Sequence, residues 1–233
     1  MRLESAAASR ENDFMRDSAV PSAQIEPATE APRLNRRQAA KVRTRAKVLE
    51  AARSLFGERG YDAATIRDIA KGAGMSTGAV FANFQDKSEL FEAVLAENLA
   101  GTLEAFQAAA TSDGRAVERL TSALSVGYHR GLEHLPLVQA IFARAWFQPE
   151  DANERQRAMA RPFVEAVAGI LQAGIREGEL RQDIDVTLMT RMIWETYMSN
   201  YRHAAYDGWG MEELTPHVRK QMDLILSGQL ARQ

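Results

Sequence analysis

Ser76, Thr77 and Gly78 directly follow a glycine-bearing turn, Gly72-Ala73-Gly74-Met75. Hydroxyls and unpaired backbone N–H groups at the start of a helix bind phosphate oxygens well, so this tripeptide is the first candidate for chemistry in the chain. A basic run precedes it: from Arg33 to Lys47 there are seven basic residues and no acidic one. Other constellations are weaker. His129, His134, His203 and His217 show no metal-ligand spacing of the H-E-x-x-H kind, and the absence of cysteine removes thiolate metal sites, disulfides and cysteine nucleophiles. Glu177 with Glu179, and Asp183 with Asp185, are paired carboxylates, but they fall at a helix end and a helix start, where boundary charges and N-caps are the ordinary reading. With no Gly-rich phosphate loop and no G-x-S-x-G, the pattern points to binding of a polyanion, not to an enzyme, and no cofactor or metal is expected.

The charge distribution supports that direction. The 233 residues carry a formal charge of −2. Residues 1–32 hold three basic and six acidic residues, residues 33–90 twelve basic and six acidic, and the remaining 143 residues fourteen basic and nineteen acidic. The near-neutral total therefore conceals a segment of +6 between two acidic ones. Such asymmetry suits a nucleic-acid partner, although a solvated basic helix without a partner gives the same run. No stretch approaches the 18 or more apolar residues of a membrane span, and Met1-Arg2-Leu3-Glu4 leads into polar residues where a signal peptide needs an apolar stretch, so a cytoplasmic protein with no membrane partner is expected.

The elements that must position the candidates are helical throughout. Residues 1–32, rich in Ala, Ser and Glu with Pro21, Pro27 and Pro32, show no periodicity and read as a disordered tail. From Arg36 a helix begins whose Val48, Ala52, Leu55 and Phe56 recur at three- and four-residue steps, and Gly60 supplies its stop. Thr65-Ile-Arg-Asp68 reads as a capping box opening a short helix that Gly72 and Gly74 end. Ser76 caps a second short helix through Phe84, and Asp86-Lys-Ser-Glu89 opens a long helix that persists to about residue 110. Beyond residue 115 only helix signals appear, near 115–133, 135–147, 152–178, 183–206 and 211–229. The expectation is an all-α chain of about nine helices. Pro136 suits a first turn, and Pro162 implies a kink or a start within its segment.

Two short helices joined by a glycine turn after a basic helix have the layout of a helix-turn-helix, with Ile66, Ile69, Val80 and Phe84 packing on Leu49, Ala52 and Phe56. Residues 44–90, from T-R-A-K-V-L-E-A-A-R-S-L-F-G-E-R-G-Y through T-I-R-D-I-A-K-G-A-G-M-S-T-G-A-V-F-A-N-F-Q-D-K-S-E-L, strongly resemble the DNA-binding domain of TetR-type transcriptional regulators. The resemblance reproduces A-A-x-x-L-F-x-x-x-G-Y, T-x-x-x-I-A and F-x-x-K-x-x-L in order and spacing. It implies a dimeric regulator with a three-helix DNA-binding domain at residues 33–90 and a larger ligand-binding and dimerisation domain at 91–233. On this resemblance, double-stranded operator DNA is the partner, phosphate contacts come from Arg45 or Thr44, from Thr65, and from Ser76, Thr77 and Lys87, and the recognition helix spans Thr77 to Asn83.

The chain departs from the family where Ala79-Val80-Phe81-Ala82-Asn83 replaces the frequent Thr-Leu-Tyr and following aromatic or His. Phe81 lacks the hydroxyl that holds a phosphate, and Ala79 and Ala82 offer no side-chain donor. Asn83 remains to pair bidentately with adenine, Thr77 to reach a base or phosphate beside Gly78, and Ala79 or Ala82 to touch a thymine methyl. Affinity is therefore expected to lean on phosphate contacts, with Arg36, Arg37, Lys41 and Arg43 entering the adjacent minor groove as a flexible arm.

The C-terminal part offers composition, not a motif. Trp146, Trp194 and Trp209 and six of nine methionines lie beyond residue 140. Phe106, Tyr128, His129, Phe142, Trp146, Phe163, Trp194 and Tyr197 are candidates to enclose a small hydrophobic or amphipathic ligand, against the alternative of ordinary core packing. Helix 183–206 carries Val186, Ile193, Tyr197 and Tyr201 on one stripe and Leu188 and Met192 beside it, and so reads as buried on two sides, the second against either another part of the same domain or another subunit. With Leu214, Val218, Met222 and Ile225 of the last helix, Leu188 and Met192 are candidates for a homodimer contact. The functional expectation is a repressor that binds a palindromic operator as a dimer and is released by an inducer; the alternative is a constitutive or nucleoid-type DNA-binding protein without a ligand.

Overall fold

The computed structural model describes residues 35–145 and 147–231. The expected disordered tail, residues 1–32, and Trp146 lie outside the described residues. Among the described residues nine α-helices follow one another: α1 (Arg36–Ala63), α2 (Ile66–Gly72), α3 (Thr77–Phe81), α4 (Lys87–Ala110), α5 (Ala116–Glu133), α6 (Leu135–Ala145), α7 (Glu150–Arg176), α8 (Val186–Tyr206) and α9 (Met211–Ser227). An isolated antiparallel bridge between Leu180 and Leu230 is the only β pairing among the described residues. Asn35 and Gln38 exchange side-chain-to-backbone hydrogen bonds of 2.9 and 2.8 Å, closing a cap on the first turn of α1.

From Ala40 onward the helices enclose two apolar cores. The first is built from Val48, Leu49, Ala52 and Phe56 of α1, Ile69 and Ala70 of α2, Val80 of α3, Phe84, and Leu90, Phe91, Val94 and Leu95 of α4. Leu137 and Ala140 of α6 complete it. The second joins Phe106 of α4, Leu120, Leu124 and Tyr128 of α5, Phe163, Val167 and Ile170 of α7, Ile193, Tyr197 and Tyr201 of α8, and Leu214, Val218 and Met222 of α9. Full burial of such side chains contributes about 1.5–3 kcal/mol each, so these two clusters carry most of the fold's apolar stabilisation. α4 belongs to both, with its first half in one core and its second half in the other.

The helix ends follow the sequence signals. Thr65, Ser76 and Asp86 each accept the N–H of the third residue onward, which satisfies an otherwise orphaned donor. After α2, Gly74 adopts φ +67° while its N–H meets the Lys71 carbonyl and the Met75 N–H meets the Ala70 carbonyl. That is a Schellman closure, in which a side chain on residue 74 would be strained. Gly60 also has positive φ (76°), but the chain bends there and continues one more helical turn to Ala63. Pro162 lies inside α7, which runs on through it.

Packing revises the expected dimer face. Leu214, Val218 and Met222 have no exposed surface because α9 lies against α5 within the same chain, and Ile225 is partly buried against that core. Leu214, Val218 and Met222 are internal, and the expectation that these three meet a second subunit is withdrawn; Ile225 stays partly exposed. Leu188 and Met192 of α8 keep 43% and 46% of their surface exposed, and Leu224 of α9 keeps 75%.

Candidate nucleic-acid interface and ligand cavity

α2, the Gly74 turn and α3 hold Ser76, Thr77 and Gly78 exposed at one edge, with Val80 anchoring α3 to the first core. Ser76 Oγ takes the Ala79 N–H at 3.2 Å, leaving Thr77 unencumbered at the surface. Phe81 is 54% exposed and Ala82 exposed, while Ala79 and Asn83 are half-buried. α3 is shorter than expected: it ends at Phe81, and Asn83 lies just past it. The Asn83 amide donates to the Ala79 carbonyl at 2.9 Å, and its Oδ1 is buried without a partner. Reading an adenine would require this side chain to rotate out of that bond. Thr65 Oγ1 both accepts from the Asp68 N–H and donates to the Asp68 carboxylate, which holds that carboxyl below its usual range.

Two further expected DNA contacts, Lys87 and Arg45, have structural partners. Lys87 is turned inward: its Nζ donates to the carbonyls of Tyr61 (2.9 Å), Ala64 (3.2 Å) and Asp62 (3.3 Å) and lies 4.2 Å from the Tyr61 ring centre. Burial lowers its pKa, Asp62 opposes that shift, and Arg144 adds to it. In this arrangement it caps the end of α1, because the ammonium supplies hydrogen bonds that those last carbonyls lack. Arg45 donates to the Asn83 carbonyl at 3.1 Å and stacks 4.2 Å over Phe84, tying α1 to the end of α3. Arg36, Arg37, Lys41 and Arg43 are exposed, but they form the first turns of α1 and not a flexible arm. Thr44 is half-buried. Lys47, the last residue of the basic run, is exposed on α1, and Arg67 and Lys71, which lie outside that run and outside the motif's candidate contacts, add exposed positive charge on α2.

Behind this surface a cavity of about 640 Å³ opens between α4, α5, α6, α7 and α8. Its wall is mostly apolar, with Leu95 and Leu99 of α4, Leu137, Ile141 and Phe142 of α6, Phe163 of α7, and Trp194, Tyr197, Met198 and Tyr201 of α8. Polar residues at its edges include Arg130, Glu133, His134 and Arg157. Of the expected ligand residues, Phe142, Phe163, Trp194 and Tyr197 line it. Phe106 and Tyr128 lie behind the wall: Phe106 meets Phe163 edge-on at 5.3 Å, and Tyr128 packs against Tyr197 and Tyr201. Their rings are core. His129 points away, 3.6 Å from Glu133 with its side chain 66% exposed, because it follows the inward-facing Tyr128 by one residue and so sits about 100° round the helix. Tyr201, Gly127 and Gly131 complete the wall and were not anticipated.

Asn98 Nδ2 and Arg53 Nε, on residues of the cavity wall, are buried without a hydrogen-bond partner, whereas the polar groups behind the α8 wall are satisfied within the chain. Asn200 donates to Tyr128 Oη at 2.9 Å and exchanges hydrogen bonds with Gln221, which in turn meets His217. This network fixes α8 to α5 and α9. The paired carboxylates likewise have partners: Glu177 with Arg119 at 2.7 Å, Glu179 with Arg115 and the Ala116 N–H, Asp183 with Arg181, and Asp185 as the N-cap of α8.

The sequence profile of the tetR family of bacterial regulatory proteins matches residues 48–94. The HTH-type transcriptional repressor KstR2 of Mycobacterium tuberculosis (strain CDC 1551) is 33% identical over 161 residues, which is 65% of this chain and 76% of that protein. The solved ketosteroid transcriptional regulator KstR2 of Mycobacterium tuberculosis superposes with a TM-score of 0.57 at 25% identity, covering 86% of this chain and 98% of that one. The transcriptional regulator FadR of Bacillus subtilis, solved in complex with stearoyl-CoA, shares the fold with a TM-score of 0.67 at 20% identity, covering 76% of this chain and 96% of that one. With the helix-turn-helix in place and this relationship extending well past it, the chain belongs to the TetR family and is a DNA-binding transcriptional regulator.

Proposed function

We propose that this regulator represses transcription by binding a palindromic operator as a homodimer, and that a lipid-like small molecule in the 640 Å³ cavity releases it. In this reading residues 33–90 form the DNA-binding domain and 91–233 the ligand and dimer domain. One observation carries it: α4 and α6 each contribute to the core beneath the helix-turn-helix and also to the cavity wall. Leu137 of α6 belongs to both, and Ile141 and Phe142 follow it into the wall. A molecule that fits the cavity better in one arrangement of these helices shifts the regulator toward that arrangement by its differential affinity and no further. A dimer presents its two recognition helices to successive major grooves only at a spacing of roughly 34–36 Å, so a small change at α4 is enough to lower operator affinity. The apolar wall and a volume within the usual range of ligand sites support a lipid-like occupant. So do the names of related proteins, one a ketosteroid regulator and another solved with stearoyl-CoA.

The test is a footprint on the DNA flanking the regulator's own gene, with and without acyl-CoA thioesters and steroids, followed by a salt titration. Ligand-dependent release supports the proposal, and a footprint that no apolar compound alters favours the constitutive alternative. In the titration, replacing Arg36 and Arg37 by Ala flattens the log affinity against log salt slope by up to about 2 if both meet phosphates. An unchanged slope removes those two residues from the interface.

A further inference from the structure

The α5–α8 wall of the cavity is built from two glycines and two tyrosines. Gly127 and Gly131 stand one turn apart on α5, Tyr197 and Tyr201 one turn apart on α8, and all four line the cavity. A Cβ on Gly127 would lie 2.2 Å from Tyr197 Oη, and one on Gly131 2.2 Å from Tyr201 Oη, so the phenolic oxygens occupy the places where side chains would be. Glycine is unfavourable inside a helix, and here it makes room for two hydroxyls in a mostly apolar wall.

The direction of the hydrogen bonds follows from the groups involved. Tyr201 Oη lies 3.0 Å from the Gly127 carbonyl, which only accepts, so Tyr201 donates there. Tyr197 Oη, 2.9 Å from Tyr201 Oη, must then provide the proton of the bond between them. The donor chain runs from Tyr197 to Tyr201 to the Gly127 carbonyl and begins at the lone pairs of Tyr197 Oη, for which no donor is found among the described residues. Tyr128 does not serve, because its hydroxyl proton goes to the Tyr197 carbonyl at 3.1 Å while its oxygen accepts the Asn200 amide N–H. Burial drives the Tyr197 and Tyr201 ionisations far upward, so both phenols stay neutral.

We propose that the buried end of the inducer carries a neutral hydroxyl that donates to Tyr197 Oη, the remainder of the molecule being apolar and lying against Phe163 and Trp194. The inference rests on the reading of this cavity as the inducer site. A ligand hydroxyl extends the donor chain without disturbing it. A carbonyl or ether oxygen must instead draw the Tyr197 proton away from Tyr201, and a carboxylate would lose its hydration with one donor in return.

The matched probes are 1-decanol and decyl methyl ether, which share the chain and the oxygen and differ in the donor. They are titrated into the full-length protein by calorimetry, with Trp194 among the fluorophores for a parallel quenching measurement. Decanol is expected to bind about tenfold more tightly than the ether, and Tyr197→Phe, with its fold verified by circular dichroism, to bring the two within about twofold. Equal affinities in the unaltered protein, or a preference that survives Tyr197→Phe, overturn the proposal without touching the cavity's role. If neither probe binds while the uncharged dye N-phenyl-1-naphthylamine does, the hydroxyl proposal again falls alone. If nothing binds, the inducer-site reading falls with it.

Discussion

Lys87 donates to three carbonyls at the end of α1 and sits over Tyr61, so its charge is engaged inside the protein. Motif spacing places Lys87 among the candidate phosphate contacts, and spacing alone does not record which way a long side chain turns. Lys87→Met is predicted to lower stability by about 1–3 kcal/mol through lost charge-assisted hydrogen bonds and the cation–π contact. Thermal or urea unfolding measures that loss. The same variant should leave the salt slope of operator binding unchanged, and a flattened slope would return Lys87 to the interface. Asn83 and the glycines Gly127 and Gly131 show the same limit in two forms. Asn83 has the right type for adenine but is held by the Ala79 carbonyl. The glycine pair did carry a legible signal, since two glycines four apart inside a strong helix pattern call for close approach by something. What approaches, the Tyr197 and Tyr201 hydroxyls, comes from a helix some 70 positions later in the sequence.

At the scale of elements, α6 is the connection that sequence reading left unassigned. Its Leu137 and Ala140 enter the core under the helix-turn-helix, while Ile141 and Phe142 face the cavity. Near its end Arg144 donates to Ser88 Oγ at 2.6 Å and stacks 4.0 Å over Tyr61, whose other cation neighbour is Lys87. Arg144→Gln should therefore loosen α6 from the DNA-binding part with little change in the cavity. The expected outcome is ligand affinity within about twofold of the original and ligand-induced operator release weakened by about tenfold, the size of a typical coupling free energy. Calorimetry and a gel-shift titration with inducer separate the two effects, and parallel losses in both would show that Arg144 serves the cavity itself. The helices that position this device were readable from caps and periodicity: Thr65, Ser76, Asp86 and Asp185 cap the helices they were expected to cap. Ends set by packing, such as the early stop of α3, were not.

For the whole molecule, the question is which apolar surface one chain keeps for another. With Leu214, Val218 and Met222 consumed by contact with α5, Leu188, Met192 and Tyr206 on α8 and Leu224 on α9 are the large apolar residues left outward on the last two helices considered for a dimer. Leu188→Glu with Met192→Glu is predicted to shift sedimentation from dimer to monomer at micromolar concentration. Operator affinity should fall by a hundredfold or more, since a monomer meets one half-site. The melting temperature should change little, because both positions are exposed in the single chain. Unaltered sedimentation would place the dimer contact elsewhere.

Sequence by itself determined the local and the periodic: an all-helical chain, the helix-turn-helix with its caps and turn, and the +6 segment hidden within a total of −2. Each of these depends on interactions over three or four residues or on a sum of charges, and both can be read along a line. Tertiary structure decided which apolar stripe of α9 faces inward, which aromatic rings wall the cavity and which merely back it, and where Lys87 and Arg45 place their charges. An amphipathic helix states that a face is buried without naming what buries it, and that choice is made by competition among all the helices at once.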